Sequence, residues 1–97
     1  MATSKEFRDF VVSELSALGD ILCRPMMGEY LLYYNGVLFG GLYDGRLLVK
    51  KSANNGKFGL DDEIPYKGAK PMLYLEDIEN RDLVREVILC TYNDFKK

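Results

Sequence analysis

The sequence contains no histidine and no tryptophan, and only two of its 97 residues are cysteine. Histidine is the commonest general base of enzymes and the commonest zinc ligand, so few hydrolytic mechanisms and few zinc sites remain open to this chain. Cys23 and Cys90 lack the spacing of a metal or redox motif, and we expect both to be reduced thiols. These absences predict a protein that is not an enzyme and that needs no cofactor and no metal.

Long hydrophobic runs are also missing. The stretch from Tyr30 to Tyr34 is among the longest, and it is far too short to cross a bilayer. The N-terminal residues do not combine a basic segment with an apolar one, as a secretory signal would. We therefore expect a cytoplasmic protein without a membrane partner.

A strong charge of either sign is absent too, because 13 Lys and Arg residues face 15 Asp and Glu residues, for a net charge of −2. This balance does not favour a strong nucleic-acid binder. Residues 21–70 carry seven cationic against five anionic side chains, which is a weak indication of an anion-facing surface. A mixed, solvated surface is the simpler interpretation.

What the chain has is the composition of one ordinary domain, with 47% hydrophobic and 29% charged residues. Its length suffices for one core, so residues 1–97 are expected to form a single domain. Apolar residues at helical spacing predict a first helix from Thr3 to Leu18, with Thr3 and Glu6 as a capping box and Gly19 as a left-handed C-cap. A second helix is predicted over residues 81–95, with Asn80 as its N-cap.

Two hairpins give the clearest signal between these helices. Asn35-Gly36 and Asp44-Gly45 are the residue pairs preferred in type I′ turns, and strand-like segments flank both pairs. The predicted strands cover residues 27–34, 37–43, 46–51 and, after a long loop over residues 52–63, 72–75. The fold class is therefore α+β, an antiparallel meander of about four to five strands flanked by the two helices.

Two-residue turns fix the register, and the register defines two faces of the meander. An aliphatic face is expected to lie under the first helix; it comprises Leu31, Tyr33, Leu38, Leu42, Leu47 and Val49. The opposite face alternates aromatic and basic side chains and includes Tyr30, Tyr34, Phe39, Tyr43, Arg46 and Lys50. A β-bulge at Gly40-Gly41, where Gly41 is expected opposite Tyr30, would exchange the faces beyond it.

The aromatic-basic face has three interpretations. The second helix covers it, a second copy of the chain pairs through it, or single-stranded nucleic acid stacks on its rings while its cations meet phosphates. The net charge does not favour the last of these.

Three separate segments carry a family resemblance. They are Arg24-Pro-Met-Met-Gly-Glu-Tyr-Leu-Leu-Tyr-Tyr, Gly40-Gly-Leu-Tyr-Asp-Gly-Arg-Leu-Leu-Val-Lys and Pro65-Tyr-Lys-Gly-Ala-Lys-Pro-Met-Leu. Together they resemble the TfoX/Sxy family, in particular its short stand-alone bacterial members. The resemblance implies the TfoX N-terminal domain fold and a link to transcription of competence genes, and it transfers no catalytic residue.

The expected partner is accordingly a protein of the transcription or competence machinery. A homodimer is an alternative, and direct nucleic-acid binding is a less favoured one. The candidate binding surface combines motif residues with the aromatic-basic face: Arg24, Met27, Glu29, Tyr30, Tyr34, Phe39, Tyr43, Arg46, Lys50, Tyr66 and Lys70. The structural interpretation of the motif residues is that Gly28 and Gly68 allow turns or close packing while Met26, Met27 and Tyr30 fill the core.

Overall fold

A computed structural model describes residues 3–96. Within this range the chain forms two α-helices, six strands and two short 3-10 helices. In chain order these are α1 (Lys5–Leu15), a 3-10 turn (Ser16–Leu18), β1 (Ile21–Met26), β2 (Glu29–Tyr34), β3 (Val37–Tyr43), β4 (Arg46–Val49), a 3-10 turn (Asn55–Phe58), β5 (Asp62–Glu63), β6 (Met72–Tyr74) and α2 (Arg81–Phe95).

The strands form one antiparallel sheet in the order β1-β2-β3-β4-β6-β5. This confirms the α+β class and the meander. Strands β1 and β5 were not predicted: β1 precedes the first predicted strand, which starts at residue 27, and β5 lies within the predicted loop of residues 52–63. Proline is tolerated in β1 because β1 is an edge strand, where a missing N–H costs no ladder hydrogen bond on the open side.

Three two-residue turns connect β1 to β4, and all have the positive φ values of type I′ turns. Asn35 and Asp44 have φ of 47° and 53°, and each is followed by a glycine, as predicted. The third turn joins β1 to β2 through Met27, with φ of 52°, and Gly28. Methionine is an uncommon residue for this conformation, which is why the turn was missed.

Local hydrogen bonds from capping side chains mark where the two helices begin. Helix α1 begins one residue after Ser4, whose hydroxyl accepts the N–H of Phe7 at 3.1 Å, so Ser4 and not Thr3 is the N-cap. Gly19 has φ of 152° and ψ of −147°, which is not the left-handed helical conformation that we expected. Helix α2 has the predicted bounds, and the Asn80 side chain accepts the N–H of Leu83 at 3.3 Å.

The register of the first hairpin shifts by one residue. Tyr33 pairs with Leu38 as expected, but Leu32 pairs with Gly40 and Tyr30 pairs with Leu42, so Phe39 is the extra residue of a bulge. The prediction that Tyr30 lies opposite Gly41 is therefore wrong. The register of the second hairpin is as predicted.

The shift changes which residues share a face. Tyr30, Tyr34 and Phe39 lie on the same side as Leu42, Leu47 and Val49, so the predicted division into an aliphatic and an aromatic face is wrong. Both helices pack on this side, and their side chains join one core with the sheet. Its fully or nearly fully buried members include Val11, Leu15, Leu32, Phe39, Leu42, Leu47, Val49, Leu75, Val84, Val87 and Ile88.

Candidate functional site

The face of the sheet opposite the helices is covered only in part. By register, Leu22, Leu31, Tyr33 and Leu38 point to this side from β1 to β3. The Leu22 side chain is 52% exposed, and the other three are half-buried. We call this side the helix-free face. Apolar side chains that no element of the described chain covers are typical of contact surfaces.

The loop of residues 64–71, which connects β5 to β6, crosses the other half of the helix-free face. Together with the ends of β4 and β6 it encloses an open groove of about 450 Å³. We call this the lysine–tyrosine groove. It is lined by Tyr43, Lys50, Lys51, Pro65, Tyr66, Ala69, Lys70, Pro71 and Met72.

Arg46 fixes the start of the loop that forms the groove wall. Its Nη1 contacts Glu63 Oε1 at 2.7 Å, and its Nη2 donates to the carbonyls of Ile64 and Pro65 at 3.2 and 3.4 Å. Its Nε donates to the carbonyl of Tyr43 at 3.1 Å. The planar guanidinium thus joins β3, β4 and the loop, which is a structural role that a lysine would not fill.

Two tyrosine rings form the apolar part of the groove. The ring centroids of Tyr43 and Tyr66 are 6.1 Å apart, with the planes tilted by 52°. Tyr43 is buried and Tyr66 is 59% exposed. Burial, with smaller effects of Tyr66 and Glu29, raises the pKa of the Tyr43 phenol above its ordinary value. Tyr43 therefore stays protonated at neutral pH and offers the groove a neutral hydroxyl.

The three lysines of the groove differ in their partners. The Lys51 ammonium pairs with Asp62 Oδ2 at 2.6 Å, and the Lys50 ammonium lies 4.4 Å from the centre of the Phe95 ring. Lys70 is exposed and makes no ion pair or hydrogen bond within residues 3–96. Within residues 3–96, no carboxylate lines the groove. Lys70 is therefore the cation that remains available to a ligand.

The structure brings together five of the eleven predicted surface residues at or beside this groove: Tyr43, Arg46, Lys50, Tyr66 and Lys70. Three others, Tyr30, Tyr34 and Phe39, are buried beneath the helices. The continuous aromatic-basic face that the sequence suggested does not exist, because the bulge turns these three rings into the core.

The remaining predicted residues lie on the β1–β2 hairpin. Arg24 is exposed on β1, and Met27 is 99% exposed at the tip of the β1–β2 turn, so Met27 does not fill the core. Glu29 has a structural role: its Oε1 accepts the N–H and the hydroxyl of Thr3 at 3.0 and 2.6 Å, and its carboxylate accepts the N–H of Asp44. This carboxylate ties the chain before α1 to the β3–β4 turn.

Sequence reasoning missed Lys51, Pro65 and Met72 as lining residues. Their contribution depends on β6 pairing with β4, which is a contact between segments distant in the chain. The signal that was available is the motif from Pro65 to Leu73, which forms the loop and the start of β6.

No cluster of three or more potential metal-ligating side chains occurs within residues 3–96. In the same part of the chain, no helix has the length and apolarity that a membrane span requires. Ser52 donates to Asp94 Oδ2 at 2.5 Å, and Asp94 also accepts both an amide and a backbone N–H of Asn54. This cluster attaches the loop after β4 to α2, and we assign it no chemistry.

The fold defines a small two-layer α+β domain with an open groove on its helix-free face. The chain belongs to the TfoX N-terminal domain family, whose model matches residues 13–81, and the family resemblance is thereby confirmed. The matched region runs from the last three residues of α1 through the whole sheet. The chain is also 34% identical over 80 residues to an uncharacterized 12.7 kDa protein in the trpE 5′ region of Spirochaeta aurantia, an alignment that covers 80% of this chain and 70% of that protein.

Proposed function

We propose that this protein is a non-enzymatic regulatory module of the TfoX type, which acts in the cytoplasm on transcription or competence by binding a protein partner. Membership of the TfoX N-terminal domain family supports the regulatory role. The observation that carries the mode of action is the helix-free face, where partly exposed apolar side chains lie beside an open groove. A surface of this kind suits contact with another polypeptide.

Direct nucleic-acid binding is the second candidate, and one observation favours it. The exposed ring of Tyr66 and the cation of Lys70 line the same groove. Proteins that bind single-stranded nucleic acid use such a pair, in which the ring stacks on a base and the cation contacts a phosphate. The burial of Tyr30, Tyr34 and Phe39 removes the larger stacking platform, and the net charge of −2 remains unfavourable. Protein contact is therefore the better supported mode.

A genetic experiment tests the regulatory role. In the organism that encodes the protein, deletion of the gene should change the transcript levels of genes for DNA uptake, and the wild-type gene should restore them. The double variant Leu22→Glu/Tyr33→Glu, which places charge on the helix-free face, should fail to restore them. The matched control Ser13→Glu, on the exposed side of α1, should behave as the wild type.

Unchanged transcripts after deletion would contradict the regulatory role. Both variants must first give the circular dichroism spectrum and thermal unfolding of the wild-type protein. Analytical ultracentrifugation of the same proteins reveals whether a second copy is the partner, because a homodimer through this face would dissociate in the double variant only.

A titration with single- and double-stranded DNA addresses the second candidate. We expect no binding even at low salt. Binding whose affinity falls steeply as salt rises would favour nucleic acid over protein as the ligand, because phosphate contacts release counterions.

A further inference from the structure

The charge of the lysine–tyrosine groove differs from that of the whole protein. The protein carries a net charge of −2, but among the residues that the structure describes, three lysines and no carboxylate line the groove. Lys67 adds a further exposed cation on the same loop. The nearby carboxylates of Asp62 and Glu63 are already paired with Lys51 and Arg46. The groove therefore attracts an anionic group, and Lys70 is free to pair with it.

The groove walls are apolar and held in place. Pro65 and Pro71 bracket the loop, Arg46 holds its first carbonyls, and the Tyr66 ring packs near the Tyr43 ring. A pre-formed wall reduces the ordering cost of binding. A volume of about 450 Å³ suits one or two side chains of an extended segment better than it suits a folded surface.

The available donors favour a carboxylate over a phosphate. Phosphate sites commonly use the N–H groups of a helix N-terminus or a free arginine fork. The N-terminus of α2 does not line the groove, and the Arg46 guanidinium is occupied by three carbonyls and Glu63. What remains is the point charge of a lysine ammonium beside the rings of Tyr43 and Tyr66.

We propose that the lysine–tyrosine groove binds an acidic segment of a protein partner. Lys70 pairs with a carboxylate of the segment, and Tyr43, Tyr66 and Met72 contact a neighbouring apolar side chain. This inference rests on the proposed function, since it assigns a chemical class to the partner of the same face.

The test uses the full chain and defined probes. Three fluorescein-labelled ligands are titrated against the ¹⁵N-labelled protein: a short peptide that alternates glutamate with leucine, the same peptide with glutamine for glutamate, and a single-stranded oligonucleotide. The acidic peptide should bind, and its amide shift changes should cluster at Tyr66, Ala69 and Met72. The glutamine peptide should bind at least about fivefold more weakly, because the exposed ion pair is lost.

Variants then locate the site. Lys70→Glu should weaken acidic-peptide binding by about five- to tenfold, since charge reversal replaces an attraction by a repulsion. Tyr66→Ala should weaken it by a similar factor through lost ring contact. Lys5→Glu, on the exposed side of α1, makes the same change in net charge away from the groove and should leave the affinity unchanged.

Several results would overturn the proposal. These are equal binding of the acidic and glutamine peptides, tighter binding of the oligonucleotide, shift changes outside the groove, an effect of Lys5→Glu as large as that of Lys70→Glu, or no binding of any probe. If the groove fails in this way while gene deletion still changes transcript levels, the regulatory role stands and only the acidic partner is lost. If deletion has no effect, the regulatory role fails independently of the groove.

Discussion

Met27 has a left-handed backbone conformation that is unfavourable for a methionine side chain. Within residues 3–96, three residues other than glycine have positive φ, namely Met27, Asn35 and Asp44. Asn and Asp tolerate this conformation because their short side chains form local hydrogen bonds. Methionine has no such compensation, and its side chain is 99% exposed, so packing does not offset the strain either.

We therefore expect Met27→Asn to raise the free energy of unfolding by about 1 kcal/mol, because it replaces a strained residue by one that suits a type I′ turn. Urea denaturation monitored by circular dichroism measures the change. The reciprocal variant Asn35→Met should lower the free energy of unfolding by a similar amount. A loss of stability in Met27→Asn would show that the side chain of Met27 contributes to the fold.

Gly40 must be a glycine for a steric reason, because the backbone of β4 leaves no room for a side chain at this position. A Cβ atom at this position would lie 2.2 Å from the carbonyl oxygen of Leu48 and 3.0 Å from the Cα of Val49. Both contacts are with backbone atoms of β4, which cannot move without separating β3 from β4. The glycine is what permits the close pairing of these two strands beside the bulge.

Gly40→Ala should lower the free energy of unfolding by at least about 3 kcal/mol, in the range of severe core overpacking. Chemical denaturation, or the soluble yield if the variant does not fold, provides the measurement. Gly56→Ala is the matched control: no atom lies within 4 Å of its added Cβ, and we expect a change within about 0.5 kcal/mol. Equal effects of the two substitutions would refute the steric explanation.

At the scale of elements, the loop after β4 is attached to the last turns of α2 by two polar clusters. Asn55 is buried and its amide donates to the carbonyl of Lys50 and to the hydroxyl of Thr91 at 2.8 and 2.9 Å. Asp94 accepts hydrogen bonds from Ser52 and Asn54. These contacts make the loop part of the helix layer.

The Asp94 cluster predicts a pH dependence of stability. The hydrogen bond from Ser52, followed by those from Asn54, holds the pKa of Asp94 below its ordinary value. A carboxyl whose folded pKa is depressed stabilises the fold above its unfolded pKa, about 3.9, and loses that contribution as the pH falls through the lower folded value. Asp94→Asn should therefore be less stable than the wild type at neutral pH.

The difference between the wild type and Asp94→Asn should shrink as the solution is acidified through that window. Urea midpoints measured along a pH series follow it. Ser52→Ala, which removes the strongest of these hydrogen bonds, should shift the acid limb of the wild-type profile towards higher pH. A difference that stays constant with pH would mean that Asp94 acts only through geometry.

How far the sequence predicts such elements depends on whether the signal is local. Asn35-Gly36, Asp44-Gly45 and the Asn80 cap are decided by neighbouring residues, and all three were predicted. The sequence offered a bulge at Gly40-Gly41 only as an alternative, because a glycine pair carries no side chain that decides between regular pairing and a bulge; the extra residue is Phe39. The resulting one-residue shift moved Tyr30, Tyr34 and Phe39 from the expected surface into the core.

The candidate site shows the same division. Tyr43 and Arg46 follow from the second hairpin, whose register is local, and Tyr66 and Lys70 come from a motif within one loop. Their meeting in one groove requires β6 to lie beside β4, which no local pattern specifies. The individual residues of the site could therefore be predicted from the sequence, but the groove that they form together could not.

At the scale of the whole molecule, the two helices lie on one side of the sheet and the groove lies on the other. Helix α2 contributes Val84, Val87 and Ile88 to the hydrophobic core, and each is at most 3% exposed. Burial of one such apolar side chain contributes about 1.5–3 kcal/mol. The sum for the helix is comparable to the whole stability of an ordinary domain, about 5–15 kcal/mol.

The family match ends at residue 81, so the matched region contains the sheet but almost none of α2. We expect a chain that stops after Asn80 to be unfolded, because the core residues of β3, on which α2 packs, would lose the helix that covers them. Poor dispersion of the amide NMR signals and a non-cooperative thermal transition would show this. A folded truncated chain would instead mean that α1 and the sheet suffice, and that α2 belongs to the binding function more than to the core.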